Sequence, residues 1–314
     1  MRGTAPVVTW LVVFAVAASL MLAPTAAGQS SDLVLARPGT MPLILSAPHG
    51  GIEPIPGVPA RSTGTTARDI RTDELTLAVS QRVESLLCST PYVVVARFHR
   101  LYLDANRAPH LAFEHPDAAP HYAAYHASIR QYVAEVRQSY PTGGLLLDIH
   151  GQGMDPSTIH RGTRDGLTVR KLLETSGAEA LVGARSIFGR LEASGYSVYP
   201  ATISSGGSVE DPRYRGGHIV ATYGSHTDDG VDAIQLEIGS SFRSESALPQ
   251  LADDLGGAIA DFAAAYLGAN HCHESPPIFQ PSWEPAAQLS AALGPAVLKV
   301  GVSRSSCRSR HWRC

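Results

Sequence analysis

The chain has 314 residues, 44% of them hydrophobic, with a formal net charge of -3 and 13 histidines. That length and apolar content supply a sizeable core and exclude a disordered chain. The near-neutral charge balance gives no basic field, so nucleic acid is not an expected partner.

At the N-terminus Arg2 precedes a largely apolar stretch, Val7 to Leu22, and then Pro24-Thr25-Ala26-Ala27-Gly28. This is the order of a secretory signal peptide, read as residues 1–27 with cleavage after Ala27; the competing reading is a retained membrane anchor. No later segment is long and apolar enough to cross a bilayer. The expectation is therefore a secreted or periplasmic protein with no membrane contact once the signal is removed.

Leu43 to Ser46 reads as a short buried strand, and Asp69 to Leu87 carries helical apolar spacing through Leu75, Val79, Val83 and Leu86. Tyr92 to Phe98 is β-branched and reads as the next strand. Ala118 to Tyr140 reads as a helix stopped by Pro141 and Gly143-Gly144. Leu145 to Ile149 is a third strand. Leu167 to Thr175 and Ala178 to Ser194 read as helices, Tyr196 to Tyr199, His218 to Tyr223 and Ala233 to Ile238 as strands, and Leu248 to Leu267 as a closing helix. Such alternation predicts one α/β domain over residues 28–267, with a mixed, mostly parallel sheet and helices on both faces. Ligands of such sheets gather at the carboxyl ends of the strands. Residues 268–314 break the pattern and read as a weakly structured tail, in which Cys272, Cys307 and Cys314 are candidates to pair; His271-Cys272-His273 has the look of a metal tract but lacks a second ligand cluster nearby.

Strands or their ends carry polar groups that a plain core does not need: His49 in SAPHGG, His150 in LLLDIHGQG and Glu237 in AIQLEIG. Two imidazoles with a carboxylate are the ligand set of a catalytic zinc site, in which a fourth position stays open. Either histidine alone reads more readily as a strand-end residue bonding to loop backbone. The shared His-Gly pattern favours the metal, because a following glycine lets the loop clear an ion and substrate. Glu53 and Asp69 are both candidates for the carboxylate ligand, although Asp69 and Asp73 also suit a helix N-terminus. Strand alternation puts Glu237 on the face opposite its apolar neighbours, where it reads either as one half of a structural salt bridge or, with desolvation raising its pKa, as a general base. In RFHRLYLDANR, the arginines and Asn106 offer a planar fork and an amide donor for a carboxylate-bearing substrate, although arginines around a strand end also form plain surface ion pairs.

Taken in order, SAPHGG, DIRTDEL, RFHRLYLDANR, LLLDIHGQG, GGHIVATYG and IQLEIG resemble the N-formylglutamate amidohydrolase family, over roughly residues 40 to 266. The resemblance implies a phosphorylase/hydrolase-like, zinc carboxypeptidase-like fold and one zinc ion. By it, His49 and His150 are zinc ligands, with Asp69 or Glu53 as the third. Glu237 is the general base and Arg100 a helper at the oxyanion. Asn106 and Arg107 hold the substrate's carboxylate, and Gly217 and Tyr223 belong to a strand that covers the substrate. The reaction implied is hydrolysis of the amide bond of an N-formyl or N-acyl amino acid such as N-formyl-L-glutamate. Alternatives for an exported chain are a metallo-exopeptidase or amidase on peptide or cell-wall carboxyl termini, and a non-catalytic carboxylate-binding protein.

Overall fold

The strand of sequence LLLDIHGQ sends its side chains alternately into two different cores, and this division organises the molecule. The computed structural model describes Gly3 and residues 31–201 and 209–272. Within it lies a seven-stranded sheet made of β1 (Val34–Arg37), β2 (Leu43–Ala47), β3 (Tyr92–Ala96), β4 (Leu145–Gln152), β5 (Thr158–Gly162), β6 (Ser197–Tyr199) and β7 (Asp232–Gly239), in the order β1-β3-β2-β4-β7-β5-β6. The pairs β2·β3, β2·β4, β4·β7 and β5·β6 are parallel, while β1·β3 and β5·β7 are antiparallel. The helices are α1 (Thr72–Leu87), α2 (Pro109–Ala112), α3 (Ala119–Ser139), α4 (Arg170–Ser176), α5 (Glu179–Val182), α6 (Ile187–Ala193), α7 (His218–Tyr223) and α8 (Leu248–Tyr266).

Leu145, Leu147 and Ile149 of β4 join Leu43, Leu45, Ile234, Leu236 and Ile238 in the core beneath α1, α6 and α8. Leu146 joins Ile44, Val94 and Ala233 in the core beneath α3 and α7. Because side chains alternate along a strand, Asp148 and His150 must follow Leu146 to the second face, and Gln235 and Glu237 must follow Ala233. Ser46, Asp148 and Gln235 lie in one row across the sheet, and His150 and Glu237 lie in the row beyond it. The polar groups thus collect where one buried face reaches the carboxyl ends of the parallel strands.

The structure departs from the sequence reading in several places. His218 to Tyr223 is helix α7 rather than a strand: Ala221 N–H donates to the Gly217 carbonyl and Gly224 N–H to that of Val220. Its β-branched content suggests a strand, but the residues it buries, Ile219, Val220 and Tyr223, have helical spacing. Strands β1 and β5 are additional to the strands read from sequence; β5 is polar because its side chains have specific partners, Arg161 with Glu210 and His160 with Asp155. The expected helix from Ala178 to Ser194 is two short helices separated at Gly183. Cys272 bonds to Cys88 at the end of α1, not to a cysteine of the tail, which also removes its thiolate from any metal tract. The chain divides into units Met1–Cys272 and His273–Cys314. The expected signal, apart from Gly3, and the tail beyond Cys272 lie outside the described residues.

Candidate active site

His49 leaves the end of β2, and its carbonyl accepts a hydrogen bond from Asp69 N–H. This bond draws the segment before α1 against the histidine. Asp73 and Glu74 occupy the first turn of α1, so Asp69 is not required there to offset the helix dipole. The Asp69 carboxylate turns inward instead. His49 Nδ1 lies 3.2 Å from Asp69 Oδ2, His150 Nδ1 lies 3.2 Å from the same oxygen, and the two Nδ1 atoms are 3.1 Å apart. All three side chains are buried, and among the described residues they form a group able to hold a metal ion.

The far side of each imidazole fixes its tautomer. His49 Nε2 donates to Asp104 Oδ1 at 2.7 Å, and His150 Nε2 donates to Asp148 Oδ2 at 2.8 Å. Asp148 is held in turn by the Ser46 hydroxyl, and Asp104 by Arg100 and by Asn106 N–H. In the neutral rings the Nδ1 atoms are then lone-pair donors pointing at a common place, together with a carboxylate oxygen. Such a triangle has no internal hydrogen-bond solution without an added proton or cation. Tetrahedral metal–ligand bonds of about 2.0–2.1 Å place neighbouring ligand atoms roughly 3.3 Å apart, close to the spacings here. Carboxylates behind both histidines are the usual outer support of a metal site. The residues therefore fit a divalent cation with one position left open.

The electrostatics agree. Burial opposes ionisation of Asp69, but His49 and His150 outweigh it and hold its pKa well below the ordinary carboxylate range. Burial likewise opposes protonation of His150, but Asp148 and Asp69 outweigh it and hold the ring well above its usual value. The pocket stabilises positive charge at the point where the three ligand atoms meet.

Glu237 stands beside His150 on β7. Burial pushes its pKa up to about 7, against the opposing pull of His150, and Gln235 Nε2 donates to its Oε1 at 2.8 Å. It lines a cavity of about 360 Å³ that His49, Asp69 and His150 also line.

The other expected site residues fall into different environments. Glu53 is exposed, its N–H and carbonyl bonded to Arg97 and His99, and it is not in the metal-binding group. Arg100 lines the cavity but is occupied by Asp104 and, at 3.3 Å, by Asp69. Asn106 is buried, and its amide ties Ile219 N–H and Gln235 together. A Cβ at Gly217 would collide with that amide, which accounts for the glycine. Arg107 lines the cavity, is 44% exposed in its side chain, and has its nearest carboxylate, Asp104, at 3.9 Å, so its guanidinium is available to a ligand. Tyr223 is not among the cavity-lining residues; it is buried, with its hydroxyl 2.9 Å from His126 Nδ1.

The glycines after the histidines also make room for neighbouring protein groups, and Gly151 lines the cavity. A Cβ at Gly50 would strike Asp73, one at Gly51 the Arg97 main chain, and one at Gly151 the Arg243 guanidinium. The sequence reading does not include Asp148 or the cavity-lining Tyr214 and Arg215, and Asp104, which falls within RFHRLYLDANR, holds His49. For Asp148 a signal was present, since it lies two residues before His150 and so shares its face.

No family model matches the chain, and no curated protein matches it. Among solved structures, it is similar to the N-formylglutamate amidohydrolase from Ralstonia eutropha JMP134, with 17% identity, TM-score 0.54, and 74% of this chain and 97% of that one covered. The gene product Atu2144 from Agrobacterium tumefaciens aligns at 14% identity and TM-score 0.48, covering 74% and 94%. A bacteriophage poly-gamma-glutamate hydrolase aligns at 17% identity and TM-score 0.39, covering 75% and 89%. The chain thus has the fold of the N-formylglutamate amidohydrolase, the fold that its ordered motifs imply.

Proposed function

We propose that the protein is a zinc-dependent hydrolase that cleaves the amide bond of an N-formyl or N-acyl amino acid such as N-formyl-L-glutamate. One observation carries this reading: His49 Nδ1, His150 Nδ1 and Asp69 Oδ2 converge on one point in the cavity that Glu237 also lines. Two histidines and a carboxylate suit zinc, with Asp69 as the third ligand. When bound, the ion supplies Lewis acidity towards the amide carbonyl and acidifies water.

The chain's own residues do the rest. Asp104 and Asp148 hold the two imidazoles with Nδ1 towards the cavity. Gln235 fixes one oxygen of Glu237, and the other takes a proton from the attacking water and delivers it to the leaving nitrogen. A pKa near neutrality, produced by burial, suits both transfers. Arg107 pairs with the substrate's carboxylate and orients the amide, while Arg100 neutralises Asp69 and Asp104. The Cys88–Cys272 bridge supports an exported protein, because such bonds persist in oxidising compartments.

The test combines elemental analysis with assays of N-formyl-L-glutamate, N-acetyl-L-glutamate and peptides with free carboxyl termini. The expected result is one zinc per chain, release of formate or the acyl acid in preference to peptide cleavage, and full loss of turnover on chelation. Undiminished turnover in metal-free protein would overturn the reading.

A further inference from the structure

One residue contacts three segments of the site without lining the cavity. Arg243 ends the short 3-10 turn Ser240–Arg243 that follows β7 and is 7% exposed. Its Nε donates to the Ile238 carbonyl at 3.0 Å, one NH2 group to the Gln152 carbonyl at 3.2 Å, and the other to the Ile70 carbonyl. Each carbonyl lies one or two residues beyond a site residue: Ile70 follows Asp69, Gln152 comes two after His150, and Ile238 follows Glu237. We infer that Arg243 is a positioning residue that locks the Asp69, His150 and Glu237 segments to one another and thereby sets the spacing of the site.

A guanidinium is planar and its N–H directions are fixed, so three carbonyls bound to one fork cannot shift independently. A buried guanidinium is costly to keep, and although Asp69 and Glu237 are near enough to offset part of that cost, all three of its hydrogen bonds go to main-chain carbonyls of the site segments. The chain also makes room for it, since any side chain at Gly151 would strike the guanidinium. Gly151 N–H itself donates to Asp69 Oδ2 at 3.1 Å, closing a second link between two of the same segments. Lysine carries a compact charge on a flexible stem and lacks the fork.

The inference rests on the proposed metal site for its consequence but not for its test. R243Q, R243K and G151A are compared with the wild type by hydrogen exchange of the metal-free proteins and by zinc affinity in chelator competition. In R243Q, exchange should quicken about tenfold or more at residues 69–72, 150–153 and 237–240 while the centre of β2 is unchanged. Zinc affinity should fall about 10–100-fold, and kcat should fall while KM changes little. R243K should recover part of this loss. G151A, which keeps the arginine but displaces it, should reproduce part of it and add little to R243Q. Wild-type exchange in those segments of R243Q, or a raised KM with unchanged kcat, overturns the inference. If R243Q does not fold, unchanged exchange and zinc affinity in both R243K and G151A overturn it. A wild-type protein that binds no zinc overturns the proposed function instead, and the exchange data still decide the role of Arg243.

Discussion

His150 and His126 are both buried on the same side of the sheet, yet the structure gives them opposite electrostatic characters. His150 has Asp148 on Nε2 and Asp69 at Nδ1, and these carboxylates hold it well above its usual pKa. His126 has the Tyr223 hydroxyl at Nδ1 and donates through Nε2 to the Ala105 carbonyl; burial lowers its pKa to about 4. Burial penalises the charged ring in both cases, so the partners decide the outcome. A buried histidine with carboxylates is poised for a cation, whereas one with a hydroxyl and a carbonyl is a neutral core residue. Tyr223, which the motif resemblance assigns to substrate, belongs to the second kind of cluster.

The largest test of this contrast is a pair of substitutions. H150A should lose its zinc and with it nearly all turnover, whereas H126Q should retain one zinc per chain and a kcat within a few-fold of the wild type. Metal loss in H126Q would erase the distinction. E237Q should lower kcat/KM by roughly 10²–10⁴-fold with zinc retained, as expected for removal of a general base. In the wild type kcat/KM should fall on the acid side at or below about pH 7, because Glu237 must be ionised to accept the proton and a bound cation favours its ionised form. A variant lacking Glu237 that keeps the same acid limb would assign that limb to another group.

Stability against pH sharpens the comparison further. The folded pKa of His126 lies below its unfolded value of 6.5, so its contribution is present above 6.5 and is lost as pH falls towards about 4. The loss is on the order of 3 kcal/mol, and denaturation of H126Q between these pH values should show a shallower slope. D148N should weaken zinc binding by about 10–100-fold, as loss of a carboxylate behind a ligating histidine does. Smallest of all, Y223F should cost about 1 kcal/mol of stability and leave zinc affinity unchanged, which calorimetry and chelator competition would separate.

Much of this arrangement is legible in local pattern. LLLDIH and AIQLEI carry the period of two that sorts Asp148, His150, Gln235 and Glu237 onto one face, and the apolar runs mark the central parallel strands. The helix α7 is less legible, because a short β-branched stretch reads as a strand until its packing against the sheet is known. Strand β5 has so little apolar content that its pairing with β7 is invisible without Glu210 and Asp155, which are remote in sequence or on the adjoining loop.

By itself, then, the sequence determined the α/β alternation, the two histidines and the strand carboxylate, since each follows from residue type and short-range periodicity. Only the tertiary structure brings Asp69 beside the two histidines and leaves Glu53 apart from them. The pairing of Glu53 beside Arg97 and His99 leaves that residue exposed, while the bond from Asp69 N–H to the His49 carbonyl brings Asp69 inward. The contacts of Asp104 with His49 and of Arg243 with three main-chain carbonyls arise in the same way, because contacts between distant segments depend on how the chain closes, and no local spacing encodes them.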